Sequence, residues 1–276
     1  MNQLQTTKWV HAQEEELACW TTIGPKLRSE AYCQKKREYW RRILAKIGLN
    51  EELAASKVLE VGCGPSGLFI VLPDDADITL LDPLLDQYKE VAPHLLDGRH
   101  RMVSQPLEKA KIDGQYEIIF AINCIDHCED IELFLGKLKQ ACAKSGRVFL
   151  AVNTHLRRWT EQVWQRAQPL IEPHHPYHFT EASYLGLFSK YFRVERVVDI
   201  EDEVIWVNNE TRVMQEGPPL DRRSSLVKVL DKMRSGEILG ALLVKILAGF
   251  GLPQHDFRGT GNSIYRHKLF VLRPTP

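Results

Sequence analysis

The sequence predicts an α/β protein built on a mostly parallel sheet with helices on both faces. Three observations lead there. Short apolar runs alternate with helical stretches from residue 57 to residue 152, the rhythm of βαβ units. Those runs lack strict apolar–polar alternation, as expected when both faces of a strand are buried. The first of them feeds a glycine-rich turn, Gly62-Cys-Gly-Pro-Ser-Gly67.

The elements follow in order. Residues 1–50 contain few Gly or Pro and read as an N-terminal helical cap. Trp9, Gln13, Glu16 and Trp20 recur at helical spacing and share one stripe. A stripe that mixes aromatics with polar groups suits a helix closing over a ligand; two Trp packed on the sheet is the plainer alternative. A second helix, Glu30–Ile47, ends at Gly48, a residue suited to the left-handed position after a helix. The core, residues 51–202, holds strand candidates at Lys57–Val61, Asp77–Leu81, His100–Val103, Tyr116–Ile122 and Arg147–Val152. Helices are expected at Gly67–Leu72, Pro83–Leu96 and Asp130–Ala143, with His127 opening the last, and at Thr180–Tyr191, capped by Thr180. Two strands close the pattern, Phe192–Ile200 and Ser263–Leu272, the latter within a final segment 263–276. About sixty residues separate them, too many for a plain loop, so 203–262 is expected to be a helical insertion centred on Ser225–Phe250. Its run from Ile238 to Phe250 is apolar at almost every position, so more than one face must be covered. The domain's own core, a second subunit in a homodimer, or a hydrophobic substrate held by peripheral membrane contact would each serve.

Composition narrows the function classes. The chain has 276 residues, 36 basic and 36 acidic, and no net charge. A nucleic-acid partner, which calls for a basic excess, is not expected. The most apolar stretch, Ile238–Leu252, is about fifteen residues and contains Lys245, short of the roughly twenty a membrane span needs. The first twenty residues carry three consecutive glutamates and no apolar core, so the expected location is the cytoplasm. Six cysteines form no CxxC pair, and no metal site is expected.

The glycine turn carries the chemistry. Gly62, Gly64 and Gly67 satisfy GxGxxG after a strand, and Asp82, at the end of the next strand, is placed to accept hydrogen bonds from ribose hydroxyls. A dinucleotide needs free backbone N–H groups for its pyrophosphate. Pro65 has none, and Glu60 sets a carboxylate nearby that repels phosphate and attracts a cation. S-adenosylmethionine (SAM) has no phosphate, carries an ammonium and a sulfonium, and has a ribose for Asp82. The charges favour SAM over NAD.

On Leu59–Gly67 (LEVGCGPSG), Ile78–Pro83 (ITLLDP), Tyr116–Asp130 (YEIIFAINCIDHCED) and Ser145–Asn153 (SGRVFLAVN), the chain resembles the class I SAM-dependent methyltransferases, in particular the group acting on small molecules. The resemblance spans roughly residues 55–200. It implies a Rossmann-like sheet of seven strands, the last antiparallel and inserted between the fifth and sixth. It also implies that Glu60, Gly62, Cys63 and Gly64 line the methionine end of SAM and that Asp82, followed by Pro83, takes the ribose. Pro106 stands where an acid often meets the adenine amine, leaving the Leu107 backbone N–H and the Gln105 side chain as adenine contacts. Asn123, Asp126 and His127 fall beside the reactive methyl group. A hydroxyl acceptor must lose a proton, and histidine is suited to take it. The candidates are His127 and the segment containing His174, His175 and His178.

The function expected is methyl transfer from SAM to a small molecule, with oxygen slightly favoured, leaving S-adenosylhomocysteine (SAH). A non-catalytic SAM sensor or scaffold is the alternative from another class, and an NAD-type oxidoreductase the weaker enzymatic one.

Overall fold

A computed structural model describes residues 3–49, 52–171, 177–213 and 265–276. Eight strands form one sheet: β1 (Val58–Val61), β2 (Ile78–Leu81), β3 (Arg101–Val103), β4 (Tyr116–Ile122), β5 (Cys142–His155), β6 (Phe179–Thr180), β7 (Phe192–Asp199) and β8 (Tyr265–Pro274). The order is β3-β2-β1-β4-β5-β8-β7. β1 to β5 pair in parallel, and β8 runs antiparallel between β5 and β7. This is the expected sheet with one addition. β4 stops opposite Ala151 while β5 continues to His155, and β6 pairs in parallel with the overhang, Thr154 and His155.

Burial on both faces explains the missing alternation. Every residue of β1 and β2 is buried. On one face Val58, Leu80, Phe120, Phe149 and Leu269 pack under α2 (Glu30–Ile47) and α7 (Glu201–Val213). On the other, Leu59, Val61, Ile119, Leu150 and Phe270 pack under α4 (Ile131–Ala141) and α6 (Glu181–Phe188). The remaining helices are α1 (Gln3–Leu27), α3 (Leu85–Val91) and α5 (Arg158–Ile171). Gly48 ends α2 at φ 74°, its N–H bonded to Ala45 O and that of Leu49 to Leu44 O, a Schellman closure. Thr180 caps α6, its Oγ1 accepting from Ser183 N.

All four expected core helices come out shorter, Thr180–Tyr191 as Glu181–Phe188, and three of them for a plain local reason. Gly67–Leu72 forms only a 3-10 turn, Leu68–Val71, because Pro73 holds Leu72 in extended backbone. α3 ends two residues before Pro93. His127 does not open a helix: Ile125–His127 is a separate 3-10 turn. α4 begins at Ile131, where Asp130 accepts hydrogen bonds from Glu132 N and Leu133 N, both at 3.0 Å.

α7 straddles the expected boundary at residue 202 and lies along α2. Lys46–Glu203 and Lys35–Glu210 pair at 2.6 Å, and the Arg42 guanidinium sits 4.1 Å from the Trp206 ring centre. At its start, Glu201 accepts from both Nδ1 and the backbone N–H of His267, fixing α7 to β8. The helical run Ser225–Phe250, with its apolar stretch, lies outside the described residues. No described helix is long and apolar enough to cross a membrane.

Candidate active site

A cavity of about 300 Å³ opens at the carboxyl ends of β1, β2 and β4, roofed by α1, α2 and α7. Ligands bind at this edge in open α/β sheets. Glu60, Gly62, Cys63, Gly64, Asp82, Pro83, Leu107, Asn123 and His127 all line it.

Glu60 is almost wholly buried, and both its oxygens are engaged: Leu68 N donates at 2.6 Å and Phe69 N at 2.9 Å. The carboxylate thereby fills the space beside Gly67, where a Cβ would stand 2.3 Å from Glu60 Oε1 and 2.4 Å from Cys63 O. Burial drives its pKa up to about 8, against the pull of those two N–H groups. Asp82 bridges two loops, Oδ2 accepting from Gly64 N at 3.0 Å and Oδ1 from Leu84 N at 2.9 Å. It is raised to about 6, first by burial and also by nearby Glu16. An acid raised on folding favours the native state while protonated. The contribution of Asp82 to stability is therefore lost as pH climbs from its ordinary value near 4 through 6.

These bonds leave the turn poor in donors. Gly62 N is spent on Leu81 O, Gly64 N on Asp82, and Leu68 N and Phe69 N on Glu60, while Pro65 has no N–H. A pyrophosphate would meet carboxylates where it needs amides.

Two backbone positions shape the opening. Gly62 has φ 66°, and a Cβ there would lie 2.3 Å from Cys124 Cβ. Asn123 has φ 51°, the one described non-glycine residue with positive φ, and its N–H donates to Ala151 O at 2.8 Å. Asparagine tolerates that region better than most residues, and such outliers gather at ligand sites. Past β3, Pro106 and Leu107 line the cavity. Glu108 also reaches its wall but turns its carboxylate to Glu129 N at 2.8 Å.

The mixed stripe on α1 faces the cavity: Trp9, Gln13, Glu16 and Trp20 line it, with Trp20 Nε1 donating to Glu16 at 2.7 Å. Lys36, Tyr39 and Trp40 of α2, and Val204, Val207 and Asn208 of α7, line it as well and were not anticipated. Their spacing at i, i+3 and i+4 in each helix was the available signal.

The histidines separate. His127 reaches the cavity; His178 does not, being buried in a ring cluster with His155, Trp164 and Tyr265. Its Nε2 lies 3.9 Å from Asp126. Burial lowers the pKa of His155 in this cluster to about 3, so its imidazole is neutral. His174 and His175 lie outside the described residues. Among the described residues, no cluster of three His, Cys, Asp or Glu is placed to hold a metal.

The profile of the family described as a methyltransferase domain matches residues 32–191, more than half the chain. No curated protein sequence matches. Among solved structures, the chain is similar to the O-methyltransferase of a trans-AT PKS multienzyme from Brevibacillus brevis, in complex with SAH. The TM-score is 0.56 at 14% identity, over 93% of this chain and 80% of that one. It is similar to the 1,6-didemethyltoxoflavin-N1-methyltransferase of Burkholderia thailandensis, with a TM-score of 0.54, 12% identity and 98% and 90% coverage. A cyclopropane synthase of Mycobacterium tuberculosis aligns at 0.54 and 15% identity, over 85% and 83%. At these identities the likeness is one of fold.

The turn geometry yields a direct expectation. Gly62→Ala would combine a left-handed backbone with a clash on Cys124, so melting temperature and cofactor affinity should both fall. Differential scanning fluorimetry with and without SAH measures both, and an unchanged variant would show that the turn tolerates a side chain.

Proposed function

The chain belongs to the methyltransferase-domain family, and from that premise we propose that it transfers the methyl group of SAM to a small-molecule acceptor. The carrying observation is the pairing of two buried carboxylates, Glu60 and Asp82, with a glycine turn whose N–H groups they already occupy. That arrangement suits a cationic, phosphate-free nucleoside and disfavours NAD. When bound, SAM supplies a methyl carbon on a positively charged sulfur, open to direct displacement.

The chain's residues then divide the work. Asp82 accepts the ribose hydroxyls through the lone pairs that its two loop bonds leave over. Asp82, raised only to about 6 and so ionised at neutral pH, places negative potential where the ligand's positive charge lies, while Glu60, raised to about 8, holds the turn. Trp9 and Trp20 close the α1 side against water, which holds the reactants in line. His127, at the cavity wall beside Asn123, takes the proton of a hydroxyl acceptor. Oxygen is the favoured acceptor atom for that reason, since a hydroxyl must give up its proton to yield a neutral product, whereas a tertiary amine or thioether has none to give. Residues 51–202 with the final strand form the cofactor-binding core.

Two outcomes test this. Glu16 of α1, Glu60 of β1, and Cys63 and Tyr88 face Asp82. Burial raises Asp82 to about 6. Its ionised form is the better acceptor for ribose, so SAH affinity should fall as pH drops from 7 to 5. Asp82→Ala should lose roughly ten- to a hundredfold in affinity at pH 7 and flatten that dependence. Calorimetry showing wild-type affinity in a folded variant would remove Asp82 from the site. His127→Ala should lower turnover by about a hundred- to ten-thousandfold with SAH affinity unchanged. Normal turnover on a hydroxyl acceptor would show that another group takes the proton.

A further inference from the structure

A second polar cluster lies past the cavity, at the end of the neighbouring strand. Asn123, at the cavity wall, donates its N–H to Ala151 O, and β5 runs on from there beyond the end of β4. Asn153 and His155 follow Ala151 at the strand period of two, so they share its sheet face, with Tyr265 of β8 in register opposite His155. There the rings of His155, Trp164, His178 and Tyr265 gather with their centres 4.7–6.2 Å apart. His155 is 3% exposed and Trp164 8%. Yet neither ring nitrogen of His155, nor Trp164 Nε1, has a hydrogen-bond partner among the described residues, and the buried Asn153 Oδ1 is in the same position. Folded proteins rarely leave such groups unmade, because each forfeits its bonds to water.

The unmade bonds define what would complete them. Trp164 Nε1 only donates, Asn153 Oδ1 only accepts, and the His155 imidazole, kept neutral by burial, does one of each. A hydroxyl both donates and accepts, so it suits all three. An ammonium has no lone pair to offer Trp164. A carboxylate would stand near Asp126, whose oxygen lies 3.9 Å from His178 Nε2. Asp126 directly precedes His127 in the turn Ile125–His127, which sets the ring cluster on the His127 side of the cavity. From this juxtaposition we infer that His155 and Trp164 recognise the acceptor, an uncharged aromatic compound that presents one hydroxyl to His127 for methylation and a second to the ring cluster. The inference rests on the methyltransferase reading of the cavity.

The test uses three probes on the full chain saturated with SAH. Resorcinol has two hydroxyls, phenol lacks the second, and 3-hydroxybenzoate replaces it with a carboxylate. Calorimetry is run on wild type, His155→Phe and Trp164→Phe, which keep an aromatic ring and remove the nitrogens. Wild type should bind resorcinol about five- to a hundredfold tighter than phenol, and 3-hydroxybenzoate no tighter than phenol. Both variants should lose the preference for resorcinol and keep the SAH affinity, which also reports that they fold. If one variant loses SAH binding, the other carries the comparison; loss in both would make the cluster structural and overturn the inference. A preference that survives in a folded variant, a gain from the carboxylate, or no binding of any probe to the SAH-loaded wild type also overturns it, and leaves the methyltransferase reading in place. If the wild-type chain does not bind SAH, that reading itself fails, and the assignment of the ring cluster with it.

Discussion

The arrangement depends on two carboxylates forced into the interior at the carboxyl edge of the sheet. Asp82 ties the loop after β1 to the loop after β2 by accepting from Gly64 N and Leu84 N, and Glu60 ties β1 to the turn that follows it. Each backbone N–H would otherwise be a buried donor without an acceptor, so the acids and the loop shape require one another. The cost is electrostatic. Both acids are raised by burial, to about 6 and about 8. A ligand bearing positive charge relieves that cost, and a phosphate adds to it. Ligand preference and loop architecture thus come from the same two side chains.

The roof follows from packing on the other side of the cavity. α2 is clamped below by Trp40 on the Ser66 carbonyl and laterally by the Lys46–Glu203 and Lys35–Glu210 pairs with α7. Exposed pairs contribute at most about 1 kcal/mol each. The buried face of α2, including Tyr39, Trp40, Ile43 and Leu44, contributes far more to its placement. α1 rests on α3, with Trp20 edge-on to Tyr88 at 6.4 Å between ring centres. The cavity therefore has a rigid floor of strand ends and a wall of helices contributed by segments outside the glycine-turn motif.

Much of this was legible in the sequence, for identifiable reasons. β4 is found with the expected bounds, Tyr116–Ile122, because a continuous apolar run between two parallel neighbours has no alternative register. Gly62, Gly64 and Asp82 meet at one cavity because a strand, a glycine turn and a second strand leave little freedom in their relative placement. The stripe on α1 was readable because polar residues at helical spacing among tryptophans do not suit a core face. Other features depended on tertiary context. Pro73 and Pro93 shortened helices whose apolar spacing looked adequate. The depth of His178 is set by the rings of His155, Trp164 and Tyr265, two of which lie more than eighty residues apart in sequence.

The carboxylate-filled turn discriminates between a phosphate-free nucleoside and a dinucleotide. Titrating the full chain with SAH and with NADH side by side, by calorimetry at pH 7, measures this directly. Burial of Glu60 and Asp82 against a donor-poor turn predicts saturable SAH binding and none for NADH. NADH binding in the absence of SAH binding would contradict it.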